Sequence, residues 1–291
     1  MAKSKLPDRM VLEGVMVDFL GDMTGGSGRK KFAHDAQMLM YDAWEAPSRQ
    51  QAVRKARRAL EMDPNCADAY VLLAEETAET LEQARDLYVQ GVAAGERSLG
   101  RKAFKEDVGH FWGILDTRPY MRARAALAGC LWALGEREAA AEHYRDLLRL
   151  NPNDNQGIRD LLATCLLELG RDEELERLLK GYGEDLSAVW LYTWALWTFR
   201  RGGDNKAARR RLGQAIKDNP HVPAFLLGRE RLPRRLPEMY AYGSPDEAIL
   251  YVSANRARGS GRLGRWNGWR AGTGDEAGED GERSSREQRE S

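Results

Sequence analysis

Cysteine is scarce: Cys66, Cys130 and Cys165 lie far apart, and no two of them form a CxxC pair. That excludes a disulfide framework and a zinc knuckle, and it suits a reduced, cytoplasmic chain better than a secreted one. Histidine is little commoner. His34, His110, His143 and His221 fall in separate stretches with no metal-ligand spacing, so no metal is expected. Excess charge of one sign is missing too. Lys plus Arg and Asp plus Glu each number 45, which removes any global argument for nucleic acid. Nor is there a long apolar run. The longest uncharged stretch rich in apolar residues is Leu186–Phe199, 14 residues, against the roughly 20 a membrane-spanning helix needs. The basic start Met1–Lys5 leads into no apolar segment of the signal-peptide kind. The chain therefore reads as soluble, with no membrane partner.

Catalytic constellations are equally absent. Glu75 and Glu76 are adjacent, but neighbouring helix residues point in different directions. No Ser, Asp or Cys stands in a nucleophile context. The glycine-rich "LGDMTGGSGRKK" fails GxxxxGK[ST], and no buried strand precedes it, so no nucleotide or other cofactor is expected. The sequence reads as a protein that is not an enzyme.

What is present is a period. Helical patterns end at Asp63-Pro64, Asn151-Pro152 and Asn219-Pro220. Proline lacks the amide donor and clashes with the preceding turn, so each step closes one helix and starts a corner toward the next. Pro152 and Pro220 are 68 residues apart, two periods of 34. Pro64 and Pro152 are 88 apart, two periods plus 20, and the excess reads as an insertion near 98–118. A 34-residue period is the mark of the tetratricopeptide repeat. Small residues that let helices cross closely keep the same register: Ala52, Ala56 and Ala59, then Ala140, then Ala208 and Ala215. Larger apolar residues fill the complementary gaps, namely Leu127, Leu131, Leu161, Tyr192 and Leu196. Gly135, Gly170 and Gly202-Gly203 mark the turns within units.

The expected fold is thus an all-α, tetratricopeptide-repeat superhelical solenoid. It has about five helix-turn-helix units, at 33–66, 67–100, 121–154, 155–188 and 189–222. The second unit is slightly short and the fourth lacks its closing proline. Residues 1–32 read as a flexible lead-in, 33–228 as the solenoid with its insertion, and 229–255 as capping helices that cover the last apolar face. From Arg256 to Ser291 the chain has 8 glycines and few aliphatic side chains, and it reads as a disordered Gly/Arg and then acidic tail. Within the insertion, Phe111, Trp112 and Ile114 either pack a connecting helix onto unit three or form an exposed contact site.

Three stretches carry a closer likeness: "DAYVLLAEETAETLEQARDLYVQGVAAGE" (68–96), "NPHVPAFLLG" (219–228) and "GSPDEAILYVSA" (243–254). Together they resemble the suppressor-of-tumorigenicity-seven family, from the first repeat to about Ala254. The resemblance implies a helical-repeat protein without an established enzymatic activity that works through protein contacts. Animal members carry membrane-spanning segments, and a membrane location is not carried over to this chain. Family sequences also continue past the "DEAI" helix with aromatic, helix-like sequence, where this chain turns to its Gly/Arg tail.

In this repeat class the first helix of each unit lines the concave surface. Its facing positions here are Tyr41 and Trp44 in unit one, and Arg122 and Trp132 in unit three. Unit four offers Gln156 and Arg159, and unit five Trp190, Trp197, Arg200 and Arg201. Tryptophan and arginine combine large area with directional contacts and are favoured at interface hot spots. They predict a groove for an extended protein or peptide partner; the alternative is that the tryptophans simply pack between helices. Charge is graded along the chain, net −7 over residues 61–86 and +8 over 200–235. The gradient reads either as ordinary solvated helix faces or as a polar rod capable of head-to-tail self-association. The leading functional reading is an interaction scaffold. The alternative is nucleic-acid or polyanion binding through the Arg-rich last repeat and tail.

Overall fold

The computed structural model describes Met10 and residues 13–18, 29–183, 185–237 and 239–257, and these contain helix but no β-strand. Ten helices form five antiparallel pairs: α1 (Arg29–Trp44) with α2 (Arg49–Met62), α3 (Ala67–Thr77) with α4 (Leu81–Glu106), and α5 (Arg118–Ala133) with α6 (Arg137–Leu150). The last two are α7 (Ile158–Leu169) with α8 (Asp172–Gly181), and α9 (Ala188–Gly202) with α10 (Lys206–Asp218). Two further helices follow, α11 (Val222–Leu226) and α12 (Pro245–Ala257). Each pair stacks on the next, with α3 against α5 and α7 against α9, so the chain forms a tetratricopeptide-like superhelix.

The corners arise as the sequence requires. Asp63, Asn151 and Asn219 end their helices, each amide donating back to a carbonyl four residues earlier, on Ala59, Leu147 and Ala215. The proline that follows cannot extend the ladder. The Asp63 carboxylate then accepts from the Asn65 amide, and the Asn219 side chain from the His221 amide, which sets the turn. Helix starts are held by Ser48, Thr80, Ser187 and Asn205, whose side chains accept from first-turn amides that have no partner within the helix. Gly135 and Gly170 take positive φ, 85° and 69°, at the turns inside pairs three and four.

Among the described residues, four apolar clusters run through the stack, the smallest joining Ala74 of α3, Ala84 of α4 and Cys130 of α5. The first joins Ala36, Met40 and Ala43 of α1 to Ala52, Ala56 and Ala59 of α2 and to one face of α3. The largest extends from the other face of α3 to Trp190 on α9. The last packs Leu191 and Tyr192 of α9 with Phe225 on α11 and Ala248 and Val252 on α12. Tyr192 is buried as expected, but Leu196 is 47% exposed and fills no gap. The reason is that α12 covers only the first turns of α9, around Ala188, Leu191 and Tyr192.

Within the inserted stretch, α4 bends at Gly100, where φ is 69°, and two short 3-10 turns follow at Phe111–Gly113 and Leu115–Thr117. Phe111 and Trp112 are buried, with Phe111 packed between Phe104 and Tyr120, so they join the core beside α5. Residues 229–237 form no helix; Pro233 and Pro237 interrupt the ladder there. The expected lead-in over 1–32 lies largely outside the described residues, but 13–18 are helical and α1 begins at Arg29. The expected disordered tail over 256–291 lies outside them beyond Ala257.

Candidate functional site

The first helices of pairs one to three meet side by side, as do those of pairs four and five, and polar side chains join them. On α5, Arg118 and Arg122 are four residues apart and share a face. Arg122 reaches Asp68 on α3, with Nε donating to Oδ1 at 2.9 Å and Nη2 to Oδ2. Gln37 on α1 donates to the same Oδ2 at 2.8 Å. Three successive first helices are thereby tied by one hydrogen-bonded chain. Trp44 at the end of α1 lies 5.5 Å from the Arg122 guanidinium, ring centre to carbon.

A fourth element enters here from the N-terminal side. Glu13 is 2% exposed. Its Oε1 accepts from Tyr41 Oη at 2.9 Å and from Arg122 Nη1 at 2.8 Å, and its Oε2 accepts from Arg118 Nη1 at 2.9 Å. Burial pushes the Glu13 carboxyl up, but the charge of Arg122 and the three donors outweigh it and hold the group below its ordinary value. Burial likewise works against the Arg122 charge, and Asp68 and Glu13 more than offset it.

Further along the chain, Arg159 on α7 donates from Nε and Nη2 to Asp185 Oδ2 at 2.8 and 2.6 Å, and from Nη1 to Asp154 Oδ2 at 3.1 Å. Asp154 also takes the Ile158 amide at 2.6 Å and so caps α7. Beside them, Asp160 Oδ1 and Gln156 Oε1 are shut off from water without a hydrogen-bond partner. At the far edge, Trp197 Nε1 donates to the Asp172 carbonyl at 3.1 Å and Arg201 stacks over its ring at 5.5 Å. Arg200 bonds Asp172 Oδ1 at 2.9 Å.

The residues expected in the groove therefore divide. Tyr41, Trp44 and Arg122 come together at one end, Trp197, Arg200 and Arg201 at the other, and Gln156 with Arg159 between them. Trp190 has no exposed surface and packs edge-on to Tyr182 in the core, and Trp132 is 8% exposed beneath Arg137. Neither presents a face to a partner. Tyr41 is buried too, with its hydroxyl committed to Glu13. Sequence reading missed Glu13, Gln37, Asp68 and Arg118. Gln37 and Asp68 hold facing positions of units one and two and were overlooked, Arg118 lies just before unit three, and Glu13 carries no local signal at all. Burial raises the Cys66 thiol to about 12 and the Cys130 thiol to about 11, which disfavours the thiolate at both.

A family model described as ST7 protein matches residues 29–252. The chain belongs to the ST7 family. It is 31% identical over 243 residues to the suppressor of tumorigenicity 7 protein-like of Bos taurus, covering 76% of this chain and 44% of that relative. It is 30% identical to the corresponding human protein, covering 76% of this chain and 42% of the relative. A Drosophila melanogaster ST7 homolog is 29% identical over 74% of this chain and 44% of its own length. The chain thus spans less than half the length of these ST7 relatives. Among solved structures, a TPR protein with an unusual peptide-binding site, YrrB, is 18% identical. The two align with a TM-score of 0.49 over 70% of this chain and 99% of that one. Among the described residues, no helix of this ST7 chain is long and apolar enough to cross a membrane.

Proposed function

We propose that this protein is a non-enzymatic interaction scaffold that takes a protein or peptide segment along the wall made by the first helices of its pairs. The observation that carries this reading is the chain from Gln37 through Asp68 to Arg122, which spans three pairs and marks one continuous face. Trp44 on that face is half-buried, and on the first helices of pairs four and five Arg159 and Trp197 are half-buried while Arg200 and Arg201 are exposed. They offer an extended segment both aromatic area and guanidinium donors for its carboxylates or carbonyls. Such work needs no catalytic group, and it suits a cytoplasmic location.

A second reading has its own support. The outer helix α10 exposes Lys206, Arg209, Arg210 and Lys217, a surface that would attract a polyanion. Of these, Arg209 is already paired with Asp204 at 2.6 Å. Binding to an immobilised peptide library, set beside binding to mixed single-stranded RNA and DNA, separates the two. The scaffold reading expects peptide binding that falls at least about tenfold in Trp197→Ala/Arg201→Ala, the loss of a typical hot-spot contact. Nucleic-acid binding with a steep salt dependence, abolished by charge reversal on α10 and untouched by the wall substitutions, would displace it.

A further inference from the structure

Residues 13–18 lie against the wall of first helices in an unusual manner. The anchor is the Glu13 carboxylate, buried among Arg118, Arg122 and Tyr41. The next residue, Gly14, sits so close to Tyr41 that a Cβ there would meet the ring carbon Cγ at 3.1 Å. After that the segment stops behaving like core. Val15 is 63% exposed and Met16 52%. Asp18, itself largely exposed, adds a 3.8 Å contact with His34. Burying an apolar side chain of this size is worth roughly 1.5–3 kcal/mol, a gain the segment forgoes at both positions. Val15 and Met16 face outward, and the only deeply buried side chain of residues 13–18 is that of Glu13.

The socket is more elaborate than the segment in it. Arg118 lies 5.2 Å from the Trp112 ring and Arg122 5.5 Å from the Trp44 ring, so an aromatic face orients each guanidinium. The Arg118 Nε also donates to the Trp112 carbonyl at 2.9 Å. Three donors converge on the two oxygens of one carboxylate. Charge explains why an acid must sit there. Arg118 and Arg122 contribute two positive charges, and Asp68, completely buried, contributes one negative charge. Without Glu13 the socket retains one uncompensated positive charge on side chains only 16% and 15% exposed. A guanidinium held that far from water needs an anion beside it.

We propose that Arg118, Arg122 and Tyr41 form a carboxylate-binding site on the inner wall, that Glu13 fills it in cis, and that an acidic peptide partner docks by displacing residues 13–18. The inference rests on the scaffold reading above and gives it a partner chemistry, a glutamate or aspartate side chain presented on a short segment. It also gives it a control. A tethered occupant competes at a high local concentration, and the apparent affinity for an outside ligand drops by the fraction of time the site is filled.

The test uses the full chain and a labelled synthetic peptide of residues 10–18, amidated so that side chains supply every carboxylate. Glu13→Gln in the full chain keeps the shape and removes the charge. The peptide is expected to bind Glu13→Gln at least about tenfold tighter than the native chain, the factor for a cis occupant present nine-tenths of the time. Adding Arg118→Gln to that variant should return binding to the native level, and a peptide with Gln in place of its Glu should bind neither chain. Hydrogen exchange at residues 13–18 should speed up in Glu13→Gln while α3 and α5 stay protected, which separates release of the segment from loss of fold. Equal binding to the two chains, gain without dependence on Arg118, or unchanged exchange at 13–18 overturns the proposal. If library peptides bind native and Glu13→Gln chains alike, the cis-occupant inference fails and the scaffold reading stands. If no peptide binds either chain, both fall.

Discussion

At the scale of single residues, Asp160 and Glu13 are opposite cases of a carboxyl taken from water. Burial pushes Asp160 up to about 8; Arg159 opposes this, and Asp185 and Asp154 add to it. Its Oδ1 has no hydrogen-bond partner. Because its folded value is raised above the ordinary 3.8, its contribution is fully present below that value and is lost as pH rises through about 8. Asp160→Asn keeps the shape and cannot ionise. Its melting temperature relative to the native chain should climb between pH 6 and pH 9; an offset equal at both would contradict this account. Glu13 runs the other way. Its folded value lies below the ordinary 4.5, so its contribution is present above that value and is lost as pH falls through the folded one. A carbon-detected NMR titration of Glu13 should give a midpoint below 4.5, and a midpoint above it would mean the three donors do not outweigh burial. Neither role was legible in the sequence. Glu13 meets Arg118 and Arg122 across 105 and 109 residues, and no periodicity announces such a contact. Trp190 failed for a related reason. Its position number in the repeat is right, but Tyr182 from the preceding loop closes over that part of α9.

At the scale of elements, helix ends were legible because their causes are local. An Asx-Pro step and a glycine in the left-handed region each act within four residues. How closely two helices approach is a tertiary matter, and glycine shows the difference. Gly95 on α4 faces Tyr120 on α5, where an added Cβ would meet the tyrosine Cβ at 2.9 Å and its Cα at 3.1 Å. Backbone cannot swing aside as a side-chain tip can. Gly95→Ala should therefore cost about 1–3 kcal/mol by denaturant unfolding, the usual range for overpacking. Gly213 on α10 is the control, since nothing lies within 4 Å of the space its Cβ would occupy. Gly213→Ala should stabilise by about 0.5–1 kcal/mol through helix propensity alone. If the two substitutions shift stability in the same direction, close packing of α4 on α5 is not what glycine supplies there. The cap was less legible, because its polar fastening centres on one buried acid far along the chain from its partners. Glu247 on α12 accepts from the Ala188 amide at 2.8 Å, the Asn219 side chain at 2.9 Å and the Gly243 amide at 2.8 Å. It thus ties α12 to the start of α9 and to the last Asx-Pro corner.

At the scale of the whole molecule, two helices decide whether the array behaves as one body. α3 sends Ala67 and Val71 into the central cluster and Ala69, Leu72 and Leu73 into the N-terminal one. α9 sends Trp190 into the central cluster and Ala188, Leu191 and Tyr192 into the C-terminal one. In a stack of repeats, stability is close to a sum of unit terms and nearest-neighbour interfaces. A junction made by one helix with two apolar faces is therefore where cooperativity can fail. Trp190 is the largest fully buried side chain in the described residues, and truncating such a residue removes about 3–5 kcal/mol. That loss falls on the interface between pairs four and five and leaves α12 still fastened to α9 through Glu247. Trp190→Ala should accordingly split urea unfolding into two steps, with amides of residues 188–257 losing exchange protection at lower urea than those of α5 and α6. The native chain should unfold with those two regions coincident. A variant that melts earlier but in one step, with protection lost together from α5 to α12, would mean that the C-terminal pair is coupled to the stack by more than the tryptophan.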